Sequence, residues 1–174
     1  VTSLGVVGPD GVLRRRAARV LLLDADDRLL LLRGHDVDQL ERSWWFTVGG
    51  GLDPGEDSRS AAARELLEET GFVVAPEDLV GPVLTRSAVF DFAASHLRQD
   101  EEFYLARVEA HGEGLSRAGW TAMEHDVLDE VRWWHLDDLA RVEIEVFPVD
   151  LVALVRPLLA GWDGVTRHLG LVQE

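Results

Sequence analysis

The segment from Ser58 to Thr70 constrains this chain more than any other. It carries Ala61, Ala62, Ala63, Glu65, Leu66, Leu67, Glu68 and Glu69, all strong helix formers, with Asp57 and Ser58 suited to a helix start and Gly71 to a stop. On a wheel of about 100° per residue, Glu68 and Glu69 fall within roughly 60° of Glu65, and Ala63, Leu66, Leu67 and Thr70 point away. The expectation is a helix with one carboxylate face and one core face. Like charges three or four residues apart cost an isolated helix about 0.2 to 0.5 kcal/mol per pair, and Arg64, four before Glu68, is the one nearby cation at such a spacing. The cluster needs a further positive partner. Converging hard oxygen ligands suit Mg²⁺ or Mn²⁺, ions that hold the oxygens of a diphosphate.

Immediately before the helix, Gly49, Gly50, Gly51, Leu52, Asp53, Pro54, Gly55 and Glu56 form a glycine-rich approach to its N-terminus. Glycine lets backbone come close to a phosphate or an ion, and a helix N-terminus favours anions.

The flanking sequence reads as strands with a few helices. Ala17 to Asp24 and Arg28 to Arg33 are Leu/Val-rich runs separated by Ala25, Asp26 and Asp27, which predicts a hairpin. Gly34 to Ser43 reads as loop, and Trp44 to Val48 as a strand that the three glycines end. Glu101 to Ala110 and Glu130 to Trp134 read as strands, Leu136 to Ala140 as a short helical turn, and Pro148 to Ala160 as a packing helix weakened at Pro157. Strands mixed with a long central helix and a terminal helix predict a mixed sheet packed between helices, an α/β or α+β domain. The 174 residues fit one domain, spanning 1–174, and 47% apolar with 28% charged residues is ordinary globular composition.

Composition removes several functions. The apolar run from Val20 to Leu23 breaks at Asp24, and no run approaches the roughly 20 residues of a membrane helix. Arg14, Arg15 and Arg16 precede that run, but it passes into Asp24, Asp26 and Asp27 without a cleavage-type ending, so a cytoplasmic location is expected. With no cysteine there is no thiolate ligand and no cysteine nucleophile. A formal net charge of −15 disfavours nucleic acid as a partner and suits phosphate chemistry bridged by a cation.

Gly50, five residues, Glu56, seven residues, then Arg64, Glu65, Leu66, Leu67, Glu68, Glu69, Thr70, Gly71 and Phe72 match every specified position of the Nudix box, G-x5-E-x7-R-E-U-x-E-E-x-G-U. The chain therefore resembles the Nudix hydrolases. Val48, outside the box, stands where the family often has proline. The resemblance implies an α/β/α sandwich with a mixed central sheet, and a loop, helix and loop formed by the box. It implies Glu65, Glu68 and Glu69 as ligands of Mg²⁺ or Mn²⁺, with Glu56 supporting the cluster, the Gly49 carbonyl reaching a cation, and Arg64 orienting the glutamates. Water is then the nucleophile at phosphorus. Glu68, Glu65 and Arg64 are the catalytic candidates. The general base is open among Glu65, Glu68, Glu101, Glu102, Glu124 and Glu130, the last four being expected at the solvated surface.

Substrate choice lies outside the box. The proline of ADP-ribose-type relatives is missing near Ser87, Pro82 being too early, and where a diadenosine-type tyrosine is expected the chain has Phe90 and Phe92, its one tyrosine being Tyr104. Signatures of coenzyme A and NADH hydrolases are absent too. The expected substrate is a small nucleotide-like diphosphate, most simply a nucleoside di- or triphosphate. Trp44, Trp45, Phe90, Phe92, Trp133 and Trp134 have faces suited to a base, and Trp45 and Phe90 are taken as the stacking candidates; adjacent strand residues alternate, so at most one of Trp44 and Trp45 faces a given pocket. His96 and Arg98 have the chemistry to meet phosphate. A Nudix-fold nucleotide sensor without hydrolysis is the alternative, and an isoprenoid diphosphate isomerase would call for the cysteine this chain lacks. Resemblance also implies pairing into a homodimer.

Overall fold

A computed structural model describes residues 5–36, 39–92, 95–109, 115–120 and 122–173. Among the described residues nine strands form one mixed sheet: β1 (Val6–Val7), β2 (Leu13–Leu23), β3 (Leu29–His35), β4 (Ser43–Gly51), β5 (Val80–Phe92), β6 (Ser95–Arg107), β7 (Leu128–Trp134), β8 (Glu145–Phe147) and β9 (Arg167–Gln173). Their order is β7-β3-β4-β2-β6-β5-β9, with β1 added to β2 and β8 to β4. The pairs β2–β6, β4–β8 and β5–β9 are parallel and the rest antiparallel.

Alternating strand residues give the sheet two apolar faces. Val20, Leu22, Leu30, Leu32 and Val48 pack beneath α1 (Ser58–Thr70), against Ala61, Ala62 and Leu66. On the reverse face, Leu21, Leu23, Leu29, Leu31 and Phe103 meet α3 (Leu136–Leu139) and α4 (Leu151–Val155) through Leu136, Leu139, Leu151 and Val155. The result is the expected α/β/α sandwich. A further short helix, α2 (Ala122–Val127), runs into β7. Among the described residues no helix is long and apolar enough to cross a membrane.

The predicted hairpin forms around Asp24. Its buried Oδ1 accepts from the backbone N–H groups of Asp26 and Arg28, at 3.0 and 2.8 Å, and its Oδ2 from Arg28 Nε at 2.8 Å. The two strands pair only at Leu23 and Leu29 before β4 enters between them. The three glycines do not end β4, contrary to expectation. They pair with Ala17, Ala18 and Arg19 of β2 and bring the strand under α1. Pro157 acts as expected, since α4 ends at Val155 and a 3₁₀ turn carries the chain from Arg156 to Ala160.

Candidate metal and phosphate site

Helix α1 is held at both ends. Asp57 Oδ1 accepts from the N–H groups of Arg59 and Ser60 at 3.0 and 3.1 Å, the usual role of an aspartate at this position. At the other end Gly71 has φ of +83° and donates its N–H to the Leu67 carbonyl at 2.9 Å. The carbonyls of Thr70 and Glu69 receive the Ser116 N–H at 2.7 Å and Trp120 Nε1 at 2.8 Å. These bonds satisfy groups that a helix terminus leaves without internal partners, so the acidic residues between them sit on a fixed frame.

The buried stripe of α1 differs from the one predicted. It consists of Ala61, Ala62, Glu65, Leu66, Glu69 and Thr70, and Leu67 lies outside it, 47% exposed. The alanines let the helix approach the sheet closely, which turns Glu65 and Glu69 inward; they are only 9% and 5% exposed. Glu68 stays at the rim, its side chain 44% exposed.

Arg64 gathers the cluster. Its Nε and Nη2 donate to the two oxygens of Glu56 at 3.0 and 2.9 Å, Nη1 donates to Glu65 at 2.7 Å and Glu68 at 3.2 Å, and Nη2 also reaches the Gly51 carbonyl at 3.0 Å. The guanidinium holds the Glu56 carboxyl below the usual range. Burial pushes the Glu65 carboxyl up despite the same guanidinium. Two carboxyls on one cation are thus driven in opposite directions. Glu69 turns under the helix, where its Oε2 accepts the Gly49 N–H at 2.7 Å. The structure therefore brings Glu56, Glu65 and Glu68 together on Arg64 and sets Glu69 apart on Gly49.

Among the described residues no three acidic or histidine side chains are closed into a ready ligand set, because the guanidinium stands among the carboxylates. The donor chemistry nevertheless fits a hard divalent ion. It is all oxygen, and it gathers three carboxylates about one monovalent cation, which leaves the cluster with net negative charge.

The glycines make room for this arrangement. A Cβ on Gly50 would lie 2.5 Å from Glu65 Oε1, whereas one on Gly49, at φ of +132°, would lie 2.1 Å from the Ala18 carbonyl oxygen. The two substitutions should separate. Gly50→Ala meets the end of a movable side chain, so it should fold with little change in melting temperature while displacing the Glu65 carboxylate and lowering turnover. Gly49→Ala meets backbone in a left-handed conformation and should lose more than about 1 kcal/mol of stability. Equal melting temperatures for the two would contradict this reading.

The downstream acids fare differently. Glu101 is not at the solvated surface: it is 1% exposed, between Arg19 and Arg86. Glu102 accepts from Ser58 Oγ, at the first residue of α1, and from Tyr104 Oη at 2.9 Å. Glu130 is half-exposed, 3.9 Å from Arg33 and 3.7 Å from Arg132. The Glu124 side chain lies outside the described residues, as do those of Phe90, Phe92 and His96. Phe90 is placed by its backbone alone, opposite Leu97 in the β5–β6 pair.

Trp45 does not offer a free face to a base. It is 3% exposed on the reverse side of the sheet from α1, edge-on to Trp134 with ring centroids 5.1 Å apart. Trp133 packs similarly on Phe72. Trp45→Ala should cost about 3–5 kcal/mol of stability and leave KM unchanged. A raised KM at undiminished stability would restore the stacking role.

Sequence reasoning passed over Arg19. Its Nε donates to Glu101 Oε1 at 2.8 Å, and Nη1 donates to the carbonyls of Gly49 at 2.7 Å and Thr47 at 3.2 Å. The signal was present: a lone arginine inside an apolar strand must find a buried partner.

Fold, box geometry and comparison agree on the class. The family model described as "NUDIX domain" matches residues 13–155, and the chain belongs to the Nudix hydrolase family. A putative 8-oxo-dGTP diphosphatase of Bacillus subtilis is 38% identical over 66 residues, which are 38% of this chain and 41% of that protein. An RNA pyrophosphohydrolase of Erythrobacter litoralis is 27% identical over 144 residues, covering 74% of this chain and 80% of that one. Among solved structures, an ADP-ribose pyrophosphatase from Streptococcus suis superimposes with a TM-score of 0.56 at 18% identity, over 88% of this chain and 98% of its own. At that identity the likeness is one of fold.

Proposed function

We propose that this protein hydrolyses a phosphoanhydride bond in a nucleoside di- or triphosphate or a related small nucleotide, with Mg²⁺ or Mn²⁺. The observation that carries the reading is the convergence of Glu56, Glu65 and Glu68 on Arg64 beside a glycine strand. Glu65, Glu68 and Glu69 would hold the ion, with Glu56 and the Gly49 carbonyl in support. When bound, the ion neutralises diphosphate oxygens and lowers the barrier to water attack. Glu65 and Glu68 are the acids best placed in this cluster to take a proton from the attacking water. Arg64 orients both, and its bonds to Glu56 and the Gly51 carbonyl keep it from following a single carboxylate.

A cavity of about 470 Å³ adjoins the glycine loop, with Arg14, Arg15, Arg16, Leu52, Asp53 and Glu56 in its lining. It offers the rest of the substrate both cations and hydrogen-bond acceptors. The reading keeps a cytoplasmic setting and a small substrate, since a net charge of −15 opposes a long polyanion. The test is product release from a panel of nucleoside di- and triphosphates, nucleotide sugars, dinucleotides and a 5′-triphosphorylated RNA oligonucleotide. Turnover is expected for a small nucleotide; cleavage of the RNA alone would overturn the substrate class, and turnover of none would overturn the activity.

A further inference from the structure

We propose that Arg19 is a positioning residue for the metal site, acting through the Gly49 carbonyl; the inference rests on the function proposed above. Gly49 is held through both of its backbone polar groups. Its N–H donates to Glu69 Oε2 at 2.7 Å, and its carbonyl accepts from Arg19 Nη1 at 2.7 Å. One strand residue thus links an acid of α1 to a guanidinium on β2 through the two peptide units that meet at its Cα, and the Gly49 backbone torsions set their relative orientation.

Arg19 is itself held by several partners. Its side chain is 11% exposed, and Glu101, which takes its Nε, is fully buried. Glu101 Oε1 also accepts from Gln99 Nε2 at 2.6 Å, and Oε2 from Arg86 Nε, so the carboxylate cannot swing away. The planar fork of Arg19 therefore serves Glu101, Thr47 and Gly49 at once, a geometry that the point charge of a lysine does not reproduce. A carbonyl oxygen has two lone pairs, and Arg19 uses one. The other is left, in a direction the guanidinium sets, for a cation. Glu101 matters here as well, because its charge offsets part of the positive charge of Arg19 and Arg86 and so lowers the repulsion towards a divalent ion near Gly49.

The experiment is a Mn²⁺ titration of metal-free protein, followed by electron paramagnetic resonance, on the native chain, Arg19→Lys and Arg86→Lys. Arg86→Lys disturbs the same buried carboxylate without touching Gly49. The expected result is a Mn²⁺ dissociation constant raised about 10- to 100-fold in Arg19→Lys, the usual loss for a group supporting a ligand, with native affinity in Arg86→Lys. Native affinity in Arg19→Lys, or equal weakening in both variants, overturns the proposal. A native chain that binds no Mn²⁺ overturns the metal reading itself, so the two failures are distinct. Should Arg19→Lys fail to fold, the native protein gives the answer by nuclear magnetic resonance. Mg²⁺ should shift the Arg19 Nε–H signal together with the Gly49 carbonyl carbon, and an Arg19 signal that stays still while Gly49 moves refutes the coupling.

Discussion

Glu68→Gln should lower kcat by about 10²- to 10⁴-fold, the range expected when a positioned acid or base is lost, while the protein stays folded. The substitution keeps shape and removes charge. Glu68 lies at the rim of the cluster with its side chain 44% exposed, and it receives one bond, from Arg64 Nη1. Arg64 retains Glu56, Glu65 and the Gly51 carbonyl, so no buried donor is orphaned. Unchanged thermal unfolding with turnover reduced to that extent separates a chemical role from a structural one. Near-native turnover would remove Glu68 from the chemistry and leave Glu65 as the box acid to test.

Glu101→Gln should do the reverse, reducing stability first. The carboxylate sits between Arg19 and Arg86 with no exposed side-chain area, and removing one partner of a buried pair typically costs about 3–5 kcal/mol. The effect should depend on pH. Burial acts to raise the Glu101 carboxyl, but Arg19 and Arg86 overcome it and hold the group below its ordinary value. A carboxyl depressed in the folded state contributes fully above its unfolded value, about 4.3 for glutamate, and the contribution is lost as pH falls from there through the folded value. Urea midpoints of the native protein should therefore fall more steeply than those of Glu101→Gln below about pH 4. Parallel curves would mean that Glu101 is not a buried anion.

The site was legible where local chemistry decides it. Asp57, the alanines and Gly71 set the limits of α1 by propensity and capping, and the spacing of Glu56, Arg64, Glu65 and Glu68 delivers them to one place. The rotation of the helix was not legible, because hydropathy assigns Leu67 inward, whereas close approach through Ala61 and Ala62 buries Glu65 and Glu69. Glu69 tolerates this because the Gly49 N–H awaits it, a contact between residues 20 apart in sequence. The Arg19–Glu101 pair spans 82 residues, and only the parallel alignment of β2 with β6 brings it together. Strand β5 escaped notice since Pro82, Arg86 and Asp91 break its alternation, and β9 because most of its residues face solvent at the sheet edge.

The central claim is divalent-metal-dependent hydrolysis, and metal removal and return tests it most directly. Protein stripped with chelator is incubated with a nucleoside triphosphate that the native protein turns over, and monophosphate and pyrophosphate are followed before and after Mg²⁺ or Mn²⁺ is restored. No product from stripped protein and full turnover on restoration is the predicted result. Undiminished turnover by the stripped protein would contradict it, and a metal-loaded protein that binds the panel nucleotides tightly but cleaves none would make this fold a sensor.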